Sequence, residues 1–105
     1  MTARAPLDEH EARELALYVC HHRDLYLCQI KPALAVMARH GKARRYDPDK
    51  ALRLWGRVAR AGAFSYRRDF GPIYGGFSPA TRQVAAVQIA DHFADELAEL
   101  IGDAK

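Results

Sequence analysis

Four side chains within a nine-residue stretch, Cys20, His21, His22 and Cys28, carry the chemistry to hold a metal ion. Thiolate and imidazole are both zinc ligands, but structural zinc sites draw them from closely spaced pairs, which this stretch lacks. A helix turns neighbouring residues about 100° apart, so Cys20 and His21 diverge. The four converge only if the chain breaks sharply between His21 and Asp24. On one continuous helix the two cysteines lie about 12 Å apart, too far for a disulfide, and only that same break leaves a bridge open. The expectation is two reduced thiols and no metal.

The other candidates for catalysis fail on similar grounds. In His10-Glu11-Ala12-Arg13-Glu14 a zinc-protease helix would need a second imidazole one turn after the first, and Glu14 stands there instead. Asp91-His92 has no accompanying histidine cluster. The chain has two serines, Ser65 and Ser78, and no asparagine. Ser78 follows Gly75-Gly76-Phe77, but a nucleophile turn needs a preceding strand and glycines on both sides of the serine. Its role as a helix cap accounts for it. No catalytic residue, metal or cofactor is expected, and the chain reads as a non-enzyme.

What remains is charge. The net charge is +3, unevenly spread. Residues 31–82 hold twelve Lys/Arg against three Asp/Glu, while the flanking segments are both acidic. Arg39, His40, Lys42, Arg44 and Arg45 cluster where a helix should end, and cations there also suit the negative end of its dipole. Arg53, Arg57 and Arg60, spaced four and three apart, form one stripe on a later helix, with Lys50 before it and Arg67 and Arg68 beyond. Such a stripe can neutralise phosphates or meet an acidic protein surface. The alternative is a solvated face opposite Leu52 and Trp55, partly paired with the acidic ends. Tyr74, among the glycines of Gly71 to Phe77, is a further candidate contact, although Tyr74 and Phe77 could instead fold back over the bundle end.

These residues must be placed by helices, because the apolar periodicity is helical throughout and no segment alternates like a strand. The sequence predicts an all-α bundle of about four helices, over 8–22, 24–41, 48–70 and 78–101, in a single domain with flexible residues 1–7 and frayed residues 102–105. Asp8 with Glu11 forms a capping-box pattern for the first helix. Asp24 is the expected cap of the second and Gly41 its stop. Pro32 either kinks that helix or marks its true start near Lys31. Asp47-Pro48 and Ser78-Pro79 are strong starts, each a cap followed by proline at the first helical position. The inward stripes are Leu15, Tyr18, Val19 and His22; then Tyr26 or Leu27, Ile30, Ala33, Leu34 and Met37; then Leu52, Trp55, Ala59, Gly62 or Ala63, Tyr66 and Phe70; then Ala86, Ile89 or Ala90, Phe93, Leu97 and Leu100 or Ile101. Gly62 points to close approach by another helix. Val84, Val87 and Ala94 make a second apolar face on the last helix, either a further core face or a homodimer contact. No apolar run reaches the ~20 residues of a membrane helix. Met1 to Glu9 lacks the order of a signal peptide, so a cytoplasmic protein is expected.

Asp24-Leu25-Tyr26, Ile30-Lys31-Pro32, Met37-Ala38-Arg39, Tyr46-Asp47, Ala51-Leu52-Arg53-Leu54-Trp55 and Phe77-Ser78-Pro79-Ala80-Thr81-Arg82 together resemble a group of small helical accessory proteins of phages and mobile elements. The likeness covers roughly residues 11–98. It carries no active residues; what it implies is an accessory protein in a bacterial host cell. Small phage proteins of this kind often act by binding, including as inhibitors of host defences such as CRISPR complexes. The expectation is a binding protein whose partner is an acidic protein surface, a nucleoprotein complex or nucleic acid. Arg39, Lys42, Arg44, Arg45, Arg53, Arg57, Arg60, Arg67 and Tyr74 would make the contact.

Overall fold

The computed structural model describes residues 9–70 and 77–102. It is an all-α bundle: α1 (Glu9–Cys20), a single turn α2 (Arg23–Leu25), a π-helical segment (Tyr26–Ile30), α3 (Lys31–Lys42), α4 (Pro48–Phe70), α5 (Pro79–His92) and α6 (Ala94–Gly102). Asp8 and Tyr74 lie outside the described residues, as do residues 1–7 and 103–105.

Both proline-led starts form as the sequence implies. The Asp47 carboxylate accepts the Asp49 N–H at 2.9 Å. Ser78 Oγ accepts the Thr81 N–H at 3.0 Å and donates to Thr81 Oγ1 at 2.9 Å. The chain also breaks where expected, between Cys20 and Arg23, but the cap is His22 rather than Asp24. Its Nδ1 accepts the Leu25 N–H at 3.3 Å, because His22 holds extended backbone geometry immediately before the turn.

Two expected boundaries differ. Gly41 does not stop α3, which runs on to Lys42. The left-handed residue is Arg44, with φ 58°. The Arg45 N–H donates to the His40 carbonyl at 2.7 Å and the Arg44 N–H to the Gly41 carbonyl at 3.0 Å, the paired bonds of a Schellman ending. Gly41 serves packing instead: a Cβ there would lie 2.5 Å from Ile101 Cδ1 on α6. The last helix is also not continuous. Phe93 sits at φ −101°, ψ 9°, and separates α5 from α6. Its ring stacks on Trp55 at 5.8 Å between centroids with 8° between planes, and meets Tyr26 at 6.0 Å. The break lets one apolar stripe serve three neighbours, α5 packing against α1 and α4, and α6 against α3.

Of the two alternatives for Pro32, the structure has the helix start: α3 begins at Lys31 with Pro32 in its first turn, directly after the π-helical segment. The preceding turn widens, the Lys31 N–H bonds the Tyr26 carbonyl five residues back, and α3 follows directly. A π-turn loosens the ladder where proline has no N–H to give and its ring crowds the turn before it.

The core unites Leu15, Val19, Ile30, Leu34, Met37, Trp55, Val58, Ile89 and Phe93 with small residues between them. Gly62 has the role its position implied: an added Cβ would collide with Val19 Cγ2, so α1 and α4 touch along that seam. Phe77 is folded in and meets Tyr66 edge-on at 5.1 Å. Of Tyr26 or Leu27, it is Tyr26 that packs against the core; Leu27 is about half exposed, as is Phe70, which periodicity places in a core stripe. For Leu27 the π-turn shifts the register of the helix; Phe70 lies at the last residue of α4 and packs beside Tyr66 and Tyr18 at the rim.

Candidate basic interface on helix α4

Along α4, Arg53, Arg57, Arg60, Phe64 and Arg67 follow one another at intervals of four, three, four and three residues. That spacing keeps all five within one narrow stripe. The stripe faces away from the buried one formed by Trp55, Ala59, Gly62 and Ala63, and all five side chains are exposed. Among the described residues Phe64 is the most exposed of the large apolar side chains, at 73%. The four arginines form no ion pair with any described residue. Among the described residues, then, no carboxylate pairs directly with this stripe.

Two open grooves flank the ridge. One, of about 830 Å³, lies between α4 and the segment from His22 to Gln29; Arg57, Arg60, Arg67 and Arg68 stand along it, with Phe64 among them. The other, of about 470 Å³, lies between α4 and the start of α5, with Arg53, Arg57 and Arg60 on one wall. Arg82 reaches both, its Nη1 held by the Phe77 carbonyl at 2.8 Å. Arg39, Lys42, Arg44 and Arg45 are exposed at the end of α3, which packs against α6, and line neither groove. The basic residues thus divide into an α4 ridge and a separate α3 terminus.

Phe64 and Arg82 also belong to this face, although neither is among the contact residues expected from the sequence. Phe64 was legible: it falls on the arginine stripe and off the core stripe. Arg82 was not, since only the packing of α5 on α4 brings it to Arg57 and Arg60.

A polar network adjoins the larger groove. Tyr18 Oη donates to Asp69 Oδ2 at 2.5 Å, which leaves Ser65 Oγ, 2.8 Å away, to donate to Tyr18. Arg68 Nη2 donates to Ser65 at 3.3 Å, and Arg68 Nε and His22 Nε2 each approach Asp69 at 3.7 Å. Burial, then the bond to Asp69, raises the Tyr18 phenol above its ordinary value. That same bond, ahead of Arg68 and His22, holds the Asp69 carboxyl below its own. The depressed carboxyl contributes stability that is present above the ordinary aspartate range and lost as pH falls through the lowered value. The raised phenol contributes stability that is present below about pH 10 and lost as pH rises through the elevated value. Tyr18→Phe is therefore expected to flatten both limbs of a melting-temperature profile relative to the wild type. A difference between the two proteins that is constant with pH would contradict this pairing.

The remaining chemistry-bearing residues are dispersed. Both cysteines are free. Cys20 packs against the core, and burial pushes its thiol up to about 11, whereas Cys28 lines the groove. His21 Nδ1 lies 2.9 Å from the Leu17 carbonyl and its ring faces His92, on the other side of the chain from His22 and Asp69. Among the described residues no three His, Cys, Asp or Glu side chains are placed to hold a metal ion. Among them, too, no helix is long and apolar enough to cross a membrane.

Compared with known protein families, curated proteins and solved structures, the chain finds no match.

Proposed function

We propose that this is a binding protein without an active site, which docks through the α4 ridge on an anionic surface of a host nucleoprotein complex and modulates or inhibits it. The observation that carries this reading is the run of exposed arginines on α4, none of them in an ion pair with a described residue. Four exposed cations along one helix raise the local potential, which steers and holds an anionic partner.

Three of the four serine and cysteine side chains support binding over catalysis, Cys28 in the groove being the fourth. Ser65 is locked between Arg68 and Tyr18, Ser78 is committed to its cap, and the Cys20 thiol stays protonated at neutral pH. The resemblance to phage and mobile-element accessory proteins supplies the setting, the cytoplasm of a bacterial host, and defence complexes such as CRISPR effectors as the kind of target.

Capture from a host lysate tests this reading. Immobilised protein is expected to retain a complex containing both protein and nucleic acid, released by salt. Eluates devoid of nucleic acid from a lysate not treated with nuclease would overturn the nucleoprotein target. A second reading, direct binding of nucleic acid, is favoured by one observation, the exposed Phe64 amid the arginines.

A further inference from the structure

We propose that the groove between α4 and the His22 to Gln29 segment takes a single-stranded stretch of nucleic acid, with phosphates on the arginines and a base stacked on Phe64. This rests on the reading of the α4 ridge as the docking face, and it names what part of a nucleoprotein that face meets.

The argument starts from Phe64. An aromatic ring that is 73% exposed in mid-helix gains nothing from the core. It lies four residues after Arg60 and three before Arg67, so cations stand one turn to either side of it. An alternation of cations and an aromatic face along an open channel is how proteins hold single strands: the charges follow the backbone, and the ring receives a base whatever its identity. In a duplex the bases are already stacked on each other and offer no free face.

Length agrees. From Arg57 to Arg68 the helix rises about 16 Å, the span of a few nucleotides of unstacked single strand. The groove is open, so a strand can enter and leave at its ends. Two of its cations are held in place, Arg68 by Ser65 and Asp69, and Arg82 by the Phe77 carbonyl. The carboxylate that faces the groove, Asp24, is outnumbered by the arginines along it. An acidic peptide would satisfy those cations, but it would leave Phe64 without a planar partner.

The test compares, by fluorescence anisotropy, oligo(dT) and oligo(U) of about eight nucleotides with a sugar-phosphate oligomer of equal length that carries no bases. A duplex and a poly-glutamate peptide complete the set. The full-length wild type is expected to bind the single strands at least tenfold more tightly than the base-free oligomer. Phe64→Ala should weaken the single strands about tenfold and leave the base-free oligomer unchanged. The substitution is at an exposed position, so the variant should keep its helical circular dichroism. The two single-strand arms show whether DNA or RNA is preferred.

Equal affinity for the base-free oligomer, an intact preference in Phe64→Ala, or tighter binding of duplex or poly-glutamate would each overturn the proposal. The ridge reading stands or falls separately, on Arg57→Glu with Arg60→Glu. If that double variant binds every anion as the wild type does, the ridge itself is not the docking face.

Discussion

Reversing Arg53, Arg57 and Arg60 to glutamate is expected to lower affinity for an anionic partner at least a hundredfold at physiological salt, while leaving the fold intact. The three side chains are exposed, form no ion pair among the described residues, and lie opposite the buried stripe of α4. Surface changes of this kind usually alter stability by no more than about 0.5 kcal/mol each, at most about 1.5 kcal/mol for the three, so the melting temperature should move by less than about 10 °C. Binding responds far more strongly, because three favourable terms become unfavourable ones. If the partner surface is single-stranded nucleic acid, each lost phosphate contact removes about 0.7 from the slope of log K against log salt, about 2 for the three. A matched reversal of Arg39, Lys42 and Arg45 is the control. Charges beyond a Debye length of about 8 Å are largely screened, so that variant should lose less than tenfold. Equal losses in the two variants would mean that the protein responds to net charge and not to the ridge.

The second large effect concerns the core that carries the ridge. Trp55→Ala is expected to destabilise the protein by about 3–5 kcal/mol. The indole is 3% exposed and stacked on Phe93, the residue at which α5 turns into α6. Removing it leaves a large cavity and deprives Phe93 of the ring that fixes this corner. Domains of this size have stabilities of about 5–15 kcal/mol, so the loss is a large share of the whole and lowers the melting temperature by roughly 15–30 °C. The damage should begin in α6, none of whose residues is fully buried. It is held by Leu97 and Leu100 against the core, by Ile101 against Gly41, and by the Tyr26 hydroxyl donating to Glu96 Oε2 at 2.6 Å. Amide exchange is expected to accelerate most over 94–102. A loss below about 1 kcal/mol, or exchange that rises uniformly, would show that Trp55 does not organise the corner.

The features read correctly from the sequence are those fixed by a few neighbouring residues. Asp47-Pro48 and Ser78-Pro79 start helices because cap and proline act within one turn, and the buried stripe of α4 follows from a single period over 23 residues. Gly62 was legible because a helix interior tolerates glycine poorly unless something must come close.

What could not be read depends on distant partners. No glycine or proline marks Phe93, and the break there follows from where its ring lands, between Trp55 and Tyr26. Arg44 takes the left-handed position that glycine usually fills, while Gly41 is kept for Ile101 on another helix. The Tyr18–Asp69 bond spans fifty-one residues of sequence and appears only once α1 packs on α4. For the site, the α4 stripe was legible from spacing alone. Its separation from the Arg39 to Arg45 cluster required the packing of α3 on α6, and the position of Arg82 required that of α5 on α4.

Arginine-specific modification, mapped by mass spectrometry on the protein free and bound to its captured host complex, tests the central claim most directly. All the arginines concerned are exposed in the free protein and should react. On binding, Arg53, Arg57, Arg60 and Arg67 are expected to become protected, while Arg39, Arg44 and Arg45 keep their reactivity. Protection of the α3 cluster with a still-reactive α4 would contradict the account and move the docking surface to the other end of the bundle.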